Sequence, residues 1–405
     1  MEPRASTRRD FPLGWVALGA AVVGVVVTLA LRTDPMLNPD SIAFEALARS
    51  LVSGHGLRYR EALIPGLDLF AFRAPGYPVF VALGLALGGI GTVIALQGAL
   101  NGLTAALVGG IARDLGAGRA AWLAFALRLI WPSGWGYSGL LLSELLYEFL
   151  TVLATWLVLT SIARRKVSWS ILAGACTAFA MLCRPVGLGL AAALAIWLLL
   201  KHPRALLPFA LAVVVVWAPW PIRNARVLHA FVPFTTNGGA TTWAGTTDGR
   251  VRPAYDWMGA HVELGEVGFD RHFYALARER MGRDPGHMVR GALARSLVYL
   301  GPIRGRSPEL WVHRFAMIAA LAALGLASVR PALALPGLVW AAQGALLVPT
   351  LLFDRYRFPT EWCVIVAAAL GLAGMSRRFG AGRALLFSAV ALALCVAGSL
   401  LLARG

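Results

Sequence analysis

The chain has 405 residues, of which 58% are hydrophobic and 14% charged, with a mean hydropathy of +0.69 and a formal net charge of +17. That balance is too apolar for a soluble domain, and the apolar runs repeatedly reach membrane-spanning length. The basic residues sit in short clusters between those runs, which is the pattern of cytoplasmic loops and not of a nucleic-acid interface. Cys176, Cys183, Cys363 and Cys395 all lie in apolar segments without CxxC spacing, so neither a disulfide framework nor a zinc site is indicated.

The N-terminus carries basic residues and then an apolar run from about 13 to 31. The run is longer than the core of a secretory signal and lacks a small-x-small cleavage site, so it is expected to be a retained first span with the N-terminus inside. Further spans are expected at about 119–134, 141–163, 168–183, 186–200, 205–222, 311–329, 332–351, 360–375 and 384–402. The stretch 78–112 is long for one helix and is broken by GGIG at 88–91. With Arg113, Arg119, ARRK (163–166), KHPR (201–204), Arg330 and SRRFGAGR (376–383) all cytoplasmic, that stretch makes one net crossing. The expectation is an all-α polytopic membrane protein of about eleven crossings. Three parts follow: an N-terminal bundle at 1–222 that includes an external loop at 32–77, an external insert at 223–310, and C-terminal helices at 311–405.

Within the first loop, LNPDSIAFEALARSLVSGHGL (37–57) reads as an amphipathic helix, started by Asn38-Pro39 and stopped by Gly54-His55-Gly56. Phe44, Leu47, Ala48 and Leu51 form its apolar stripe, and at about 100° per residue Asp40 falls within that stripe while Glu45 and Arg49 face water. A first-turn Asp caps a helix and complements its dipole. A carboxylate on the buried face at the bilayer boundary is also a functional-site candidate. Both readings are open for Asp40.

Next comes FRAPGYPVF (72–80), a rigid bend with Arg73 just outside the following span. PIRNAR (221–226) and DRYRFP (354–359) place Arg223, Arg226, Arg355 and Arg357 at outer span ends, against the positive-inside bias. Guanidinium forks suit a lipid phosphate; interfacial snorkelling, or pairing of Arg355 or Arg357 with Asp354, is the alternative. Glu144 and Glu148 in SELLYEFL add carboxylates at another outer end, able to orient an acceptor, pair with an arginine or hold a metal. Arg184-Pro185 puts one more charge in an apolar setting. In the insert, FVPFTTNGGATTWAGTTDGR (231–250) reads as irregular or short-strand structure, and the remainder as two helices divided at Asp284-Pro285. His261, His272, His287 and His313 lack metal-ligand spacing.

The ordered set DSIAFEALARSLVSGHGL, RAPGYPVFVALGLALGG, SELLY, RPVGL, PWPIRNARVLHAFVPFTTNGG and RYRFPTEW, spread over residues 40 to 360, resembles bacterial glycosyltransferase family 39. Its relatives are the GT-C membrane glycosyltransferases, including protein O-mannosyltransferases and aminoarabinose transferases. The resemblance implies a GT-C bundle in the inner (plasma) membrane. It would transfer a sugar, with inversion, from a polyprenyl-phosphate donor to a protein, lipid or envelope-glycan acceptor on the periplasmic or exterior face. It implies Asp40 as catalytic base. Ser41 follows where relatives pair two acids, which weakens an inherited metal, and Phe44 stands where Tyr is frequent. A divalent metal is thus possible but not indicated. Residue chemistry adds Arg73, Arg355, Arg357 and Arg223 for the donor phosphate, and Glu144, Arg184 and Asn237 for substrate. The rival is a non-enzymatic transporter or assembly factor for lipid-linked envelope intermediates. A transporter would be expected to show two related halves, and no half repeat is detectable.

Overall fold

The structure is a computed structural model that describes residues 11–390 except 61–63, 65, 117, 248–250, 301–307, 325, 327 and 351–353. The expected last span, 384–402, therefore lies largely outside the described residues. Chain order begins with α1 (Leu13–Leu31), α2 (Pro39–Val52), a short antiparallel pair of β1 (Tyr59–Arg60) and β2 (Asp68–Leu69), α3 (Gly76–Gly88), α4 (Ile90–Leu115), α5 (Gly118–Leu129) and α6 (Pro132–Ser138). It continues through α7 (Ser143–Arg164), α8 (Ser168–Cys183), α9 (Gly187–Lys201), α10 (Leu206–Trp217) and α11 (Pro219–Leu228). The insert holds α12 (Gly238–Gly245), α13 (Arg252–Ala260), α14 (Gly265–Arg283) and α15 (Pro285–Leu300), followed by α16 (Pro308–Leu324), α17 (Arg330–Leu347), α18 (Asp354–Arg357), α19 (Glu361–Phe379) and a further apolar helix over Ala381–Val390.

Among the described residues, five helical segments are long and apolar enough to cross a membrane: Leu13–Leu31, Ile90–Leu115, Ser143–Arg164, Pro203–Leu228 and Arg355–Phe379. The protein is therefore a helical membrane protein. Several expected spans are shorter or broken. The 78–112 stretch is two helices, parted at Gly89, whose φ of 83° only glycine adopts without strain. The expected span 119–134 divides because Pro132 cannot continue α5; it opens α6 instead, with Trp131 extended before it. At 12 residues α5 is about 18 Å long, short of the roughly 30 Å hydrocarbon core.

The bundle is pulled together at small residues. Gly24 on α1 meets Gly98 on α4, and Gly102 on α4 meets Ala20 on α1, so closely that a Cβ at any of these glycines would overlap the opposite backbone. Deeper polar groups find partners inside the protein, as the bilayer offers none. Gln97 accepts from Tyr77 Oη at 2.6 Å and donates to the carbonyls of Ser138 and Leu140, each at 2.9 Å. Arg128 and Glu148, 1% and 0% exposed, form a two-pronged pair at 2.9 and 2.6 Å.

A second apolar core forms outside the main bundle. It joins Ala43 and Leu47 of α2, Tyr59, Leu69 and Phe72 of the first loop, and Ala240, Tyr255, Met258, Phe269 and Phe273 of α12 to α14. The first loop and the insert are thus packed as one body. The Gly/Thr-rich stretch expected to be irregular or strand supplies α12. Thr241 and Thr242 return hydrogen bonds to Gly238 O at 2.9 and 2.8 Å, and Gly239 lets the helix press against the backbone of α14. The division at Asp284-Pro285 falls where expected, with Asp284 Oδ1 accepting from His287 N at 2.8 Å as an N-cap.

Candidate active site

The site begins with the local chemistry of α2. Pro39 occupies the first helical position, and Asn38 caps the helix by accepting from Asp40 N at 2.9 Å. The buried face carries Ser41, Ala43, Phe44, Leu47 and Ala48, while Glu45 pairs with the exposed Arg49 at 2.6 Å on the outer side. Asp40 needs no capping role, because Asn38 already fills it. Its side chain, 19% exposed, turns toward the segment between β2 and α3 and toward α18.

There it meets two guanidiniums. Arg73 Nη2 lies 2.9 Å from one carboxylate oxygen, and Arg355 Nη2 bonds the other. Arg73 is held between the rings of Phe44 and Phe72, 5.9 and 5.7 Å from their centroids. Arg355 Nε is also 3.6 Å from Glu144 Oε1, and Glu144 takes Arg184 Nη1 at 2.8 Å. Arg184 further donates to Ser143 Oγ at 3.0 Å and lies over the Tyr356 ring at 4.8 Å. The result is an alternating chain, Arg73, Asp40, Arg355, Glu144, Arg184, with three cations against two anions. Five separate segments of the chain contribute to it. All but Glu144 keep some contact with solvent, each between 15% and 20% exposed.

The electrostatics follow from that arrangement. Burial alone would raise the Asp40 carboxyl, but Arg73 and Arg355 outweigh it and hold the group down at about 2. Asp40 is therefore ionised at any ordinary pH and shares its charge with two arginines. The cluster carries one positive charge in excess, a match for a singly charged anion.

The other sequence-predicted residues lie elsewhere. Arg357, only 3% exposed, pairs with Glu361 at 2.8 Å and donates to Val298 O at 3.1 Å. Glu361 also accepts from Trp131 Nε1 at 2.5 Å, so Arg357 belongs to a buried network within the bundle. Arg223 donates to Phe70 O at 2.7 Å and Leu57 O at 2.8 Å. Asn237 stands at the start of α12, accepting from Thr235 Oγ1 at 2.9 Å. Glu148, four residues beyond Glu144, is turned to Arg128. Two contributors carried no signal in the sequence: Tyr356, whose ring underlies Arg184, and Glu266, whose carboxylate reaches the loop that bears Arg73.

A divalent cation does not suit this donor set. Both oxygens of Asp40 are taken by guanidiniums, and Glu144, which shares Arg355 with it, is itself flanked by two. Among the described residues no group of three or more His, Cys, Asp or Glu side chains is placed to hold a metal ion.

No protein-family model matches the sequence, and no curated protein does. Solved structures do resemble it. The oligosaccharyltransferase of Archaeoglobus fulgidus in complex with zinc and sulfate superposes with a TM-score of 0.57 at 16% identity, covering 95% of this chain and 52% of that one. The same enzyme, AglB, with an inhibitory peptide and a dolichol-phosphate gives 0.57 at 15% identity, over 95% and 55%. ArnT from Cupriavidus metallidurans bound to undecaprenyl phosphate gives 0.42 at 16% identity, over 90% and 78%. The chain spans about half the length of the oligosaccharyltransferase chains it matches. At these identities the likeness concerns architecture, and the architecture is the GT-C membrane fold.

Proposed function

We propose that the protein is an inverting glycosyltransferase that moves a sugar from a polyprenyl-phosphate donor to a hydroxyl acceptor at the outer face of the inner (plasma) membrane. The observation that carries the reading is the Asp40 carboxylate bracketed by Arg73 and Arg355, in a cluster with one excess positive charge. A sugar linked through a phosphodiester brings one negative charge, which that excess complements. The topology that goes with it has about eleven crossings, with residues 32–77 and 223–310 outside, as the cytoplasmic arginine clusters require.

In this reading Arg73 and Arg355 bind the donor phosphate, and Glu144 with Arg184 border the sugar and acceptor. The acceptor hydroxyl gives its proton to Asp40 as its oxygen bonds to the anomeric carbon from the face opposite the phosphate. The bond from that carbon to the phosphate oxygen breaks, and the phosphate keeps the electron pair, its growing charge met by the two guanidiniums. Asp40 at about 2 is a weak proton acceptor while both arginines rest on it. An arriving phosphate takes a share of the same guanidiniums and returns basicity to Asp40, so the base is activated only with donor in place. Arg223 and Arg357 act as supports through their own partners, and Asn237 opens α12. The acceptor is a protein, a lipid or an envelope glycan.

The test is purified protein in lipid nanodiscs with a panel of radiolabelled polyprenyl-phosphate sugars and membrane extract, wild type beside Asp40→Asn. Label leaving the lipid only with wild type supports the enzyme and the base together. Equal transfer by both removes Asp40 from the chemistry. No transfer by folded wild type favours the transporter or assembly-factor alternative.

A further inference from the structure

Arg73 is two residues from a dipeptide whose backbone is completely tied to another part of the chain. Glu266 Oε1 accepts from Phe70 N at 3.0 Å and Ala71 N at 3.2 Å, and Oε2 accepts from Ala71 N at 3.2 Å and from Thr236 Oγ1 at 2.8 Å. Phe70 O receives Arg223 at 2.7 Å, and Ala71 O receives Thr236 N at 2.9 Å. All four polar groups of Phe70 and Ala71 are thus bound by residues 223 to 266. Phe72, fully buried, then packs against Tyr255 and Phe269, with ring centroids 5.6 and 6.2 Å apart.

A loop of this kind ordinarily satisfies its backbone with water, and a buried carboxylate is costly unless its acceptor capacity is used. Here Glu266, 4% exposed, spends both oxygens on one loop dipeptide and the threonine beside it. We infer that Glu266 is a positioning residue: through the Phe70-Ala71 backbone it sets where Arg73 stands, so the external insert is a working part of the phosphate site. This rests on the reading of Arg73 as a phosphate ligand. A guanidinium must be placed to within a fraction of an ångström to grip a phosphate with two prongs, and the segment that carries it must be rigid.

The chemistry separates position from charge. In Glu266→Gln the amide oxygen still accepts from both N–H groups, and the Thr236 hydroxyl can turn to accept from the new NH2. In Glu266→Ala both backbone donors lose their acceptor.

The experiment measures binding of undecaprenyl phosphate to the full chain in nanodiscs, together with amide hydrogen exchange over residues 68–74. Glu266→Ala is expected to weaken binding about tenfold and Glu266→Gln less than about threefold, with no further loss when Glu266→Ala is added to Arg73→Gln. Exchange at Phe70 and Ala71 should rise in Glu266→Ala while α2 keeps its protection. Effects that add in the double variant, or wild-type binding by Glu266→Ala, overturn the inference. So does unchanged exchange at Phe70 and Ala71. Wild type that binds no undecaprenyl phosphate overturns the donor-site reading, and the exchange arm still decides whether Glu266 holds the loop.

Discussion

Replacing Asp40 with Asn should separate donor binding from turnover in opposite directions. The drop from 3.8 to about 2 means that, net of the cost of burial, the arginines leave the ionised carboxyl favoured by roughly 2 kcal/mol. In the proposed reaction a donor phosphate would compete with Asp40 for those same guanidiniums, so the Asn variant, with no charge to displace, should bind undecaprenyl phosphate from a few-fold to about thirtyfold more tightly. Turnover should fall by about 10² to 10⁴, the usual contribution of a positioned base. Binding is read by titration in nanodiscs and turnover by release of label from the lipid. The pH profile gives an independent check. Because kcat/KM reports the free enzyme, it should show no acid limb above about pH 4, whereas the limb in kcat should lie higher, where phosphate shares the arginines. Turnover within about threefold of wild type would refute the base assignment, since no positioned base contributes so little. Weaker binding by the Asn variant would refute the competition argument and make Asp40 an organiser of the arginines.

Breaking the buried pair with Glu148→Gln should cost about 3–5 kcal/mol, because Arg128 is left charged and enclosed; the Arg128→Met/Glu148→Leu double variant should recover most of it, read from melting midpoints in detergent. Gly102→Leu should force α1 away from α4. A Thr28→Cys/Ser138→Cys pair, built where the two hydroxyls are 2.9 Å apart, should cross-link in an otherwise wild-type chain and fail to do so with Gly102→Leu. Burial lifts Asp270 from 3.8 to about 6 despite its bond from Gly239 N at 2.7 Å, so its folded state favours the proton, and stability it contributes below about pH 4 is lost as pH rises through 6. Asp270→Asn keeps that acceptor and should stabilise the insert at pH 7 by up to about 3 kcal/mol, with a flatter pH dependence between 4 and 6 in hydrogen exchange. Glu45→Gln should leave turnover within about twofold of wild type, since the exposed pair with Arg49 contributes only a few tenths of a kcal/mol.

The local features of the protein are legible in its sequence alone. The start of α2 at Asn38-Pro39, its apolar stripe and the direction of Asp40 into that stripe depend on caps and on a period of 3.6 residues, both written into neighbouring positions. The membrane class follows from runs of apolar residues, and the break at Asp284-Pro285 from the geometry of proline. The partners of Asp40 were a different matter. Arg355 lies 315 residues away, and DRYRFP offers two arginines with equal claims. They are two positions apart on α18, about 200° around a helix, so only one can face Asp40, and the packing of α19 turns Arg357 inward to Glu361. In the same way Glu144 and Glu148 share a helix face but lie a turn apart in depth. One therefore joins the cluster that keeps a partial contact with solvent, while the other is enclosed with Arg128. Glu266 left no local trace at all, because its role exists only where the insert meets the first loop. Which charges meet across such distances is decided by how helices pack, and packing is a property of the assembled chain.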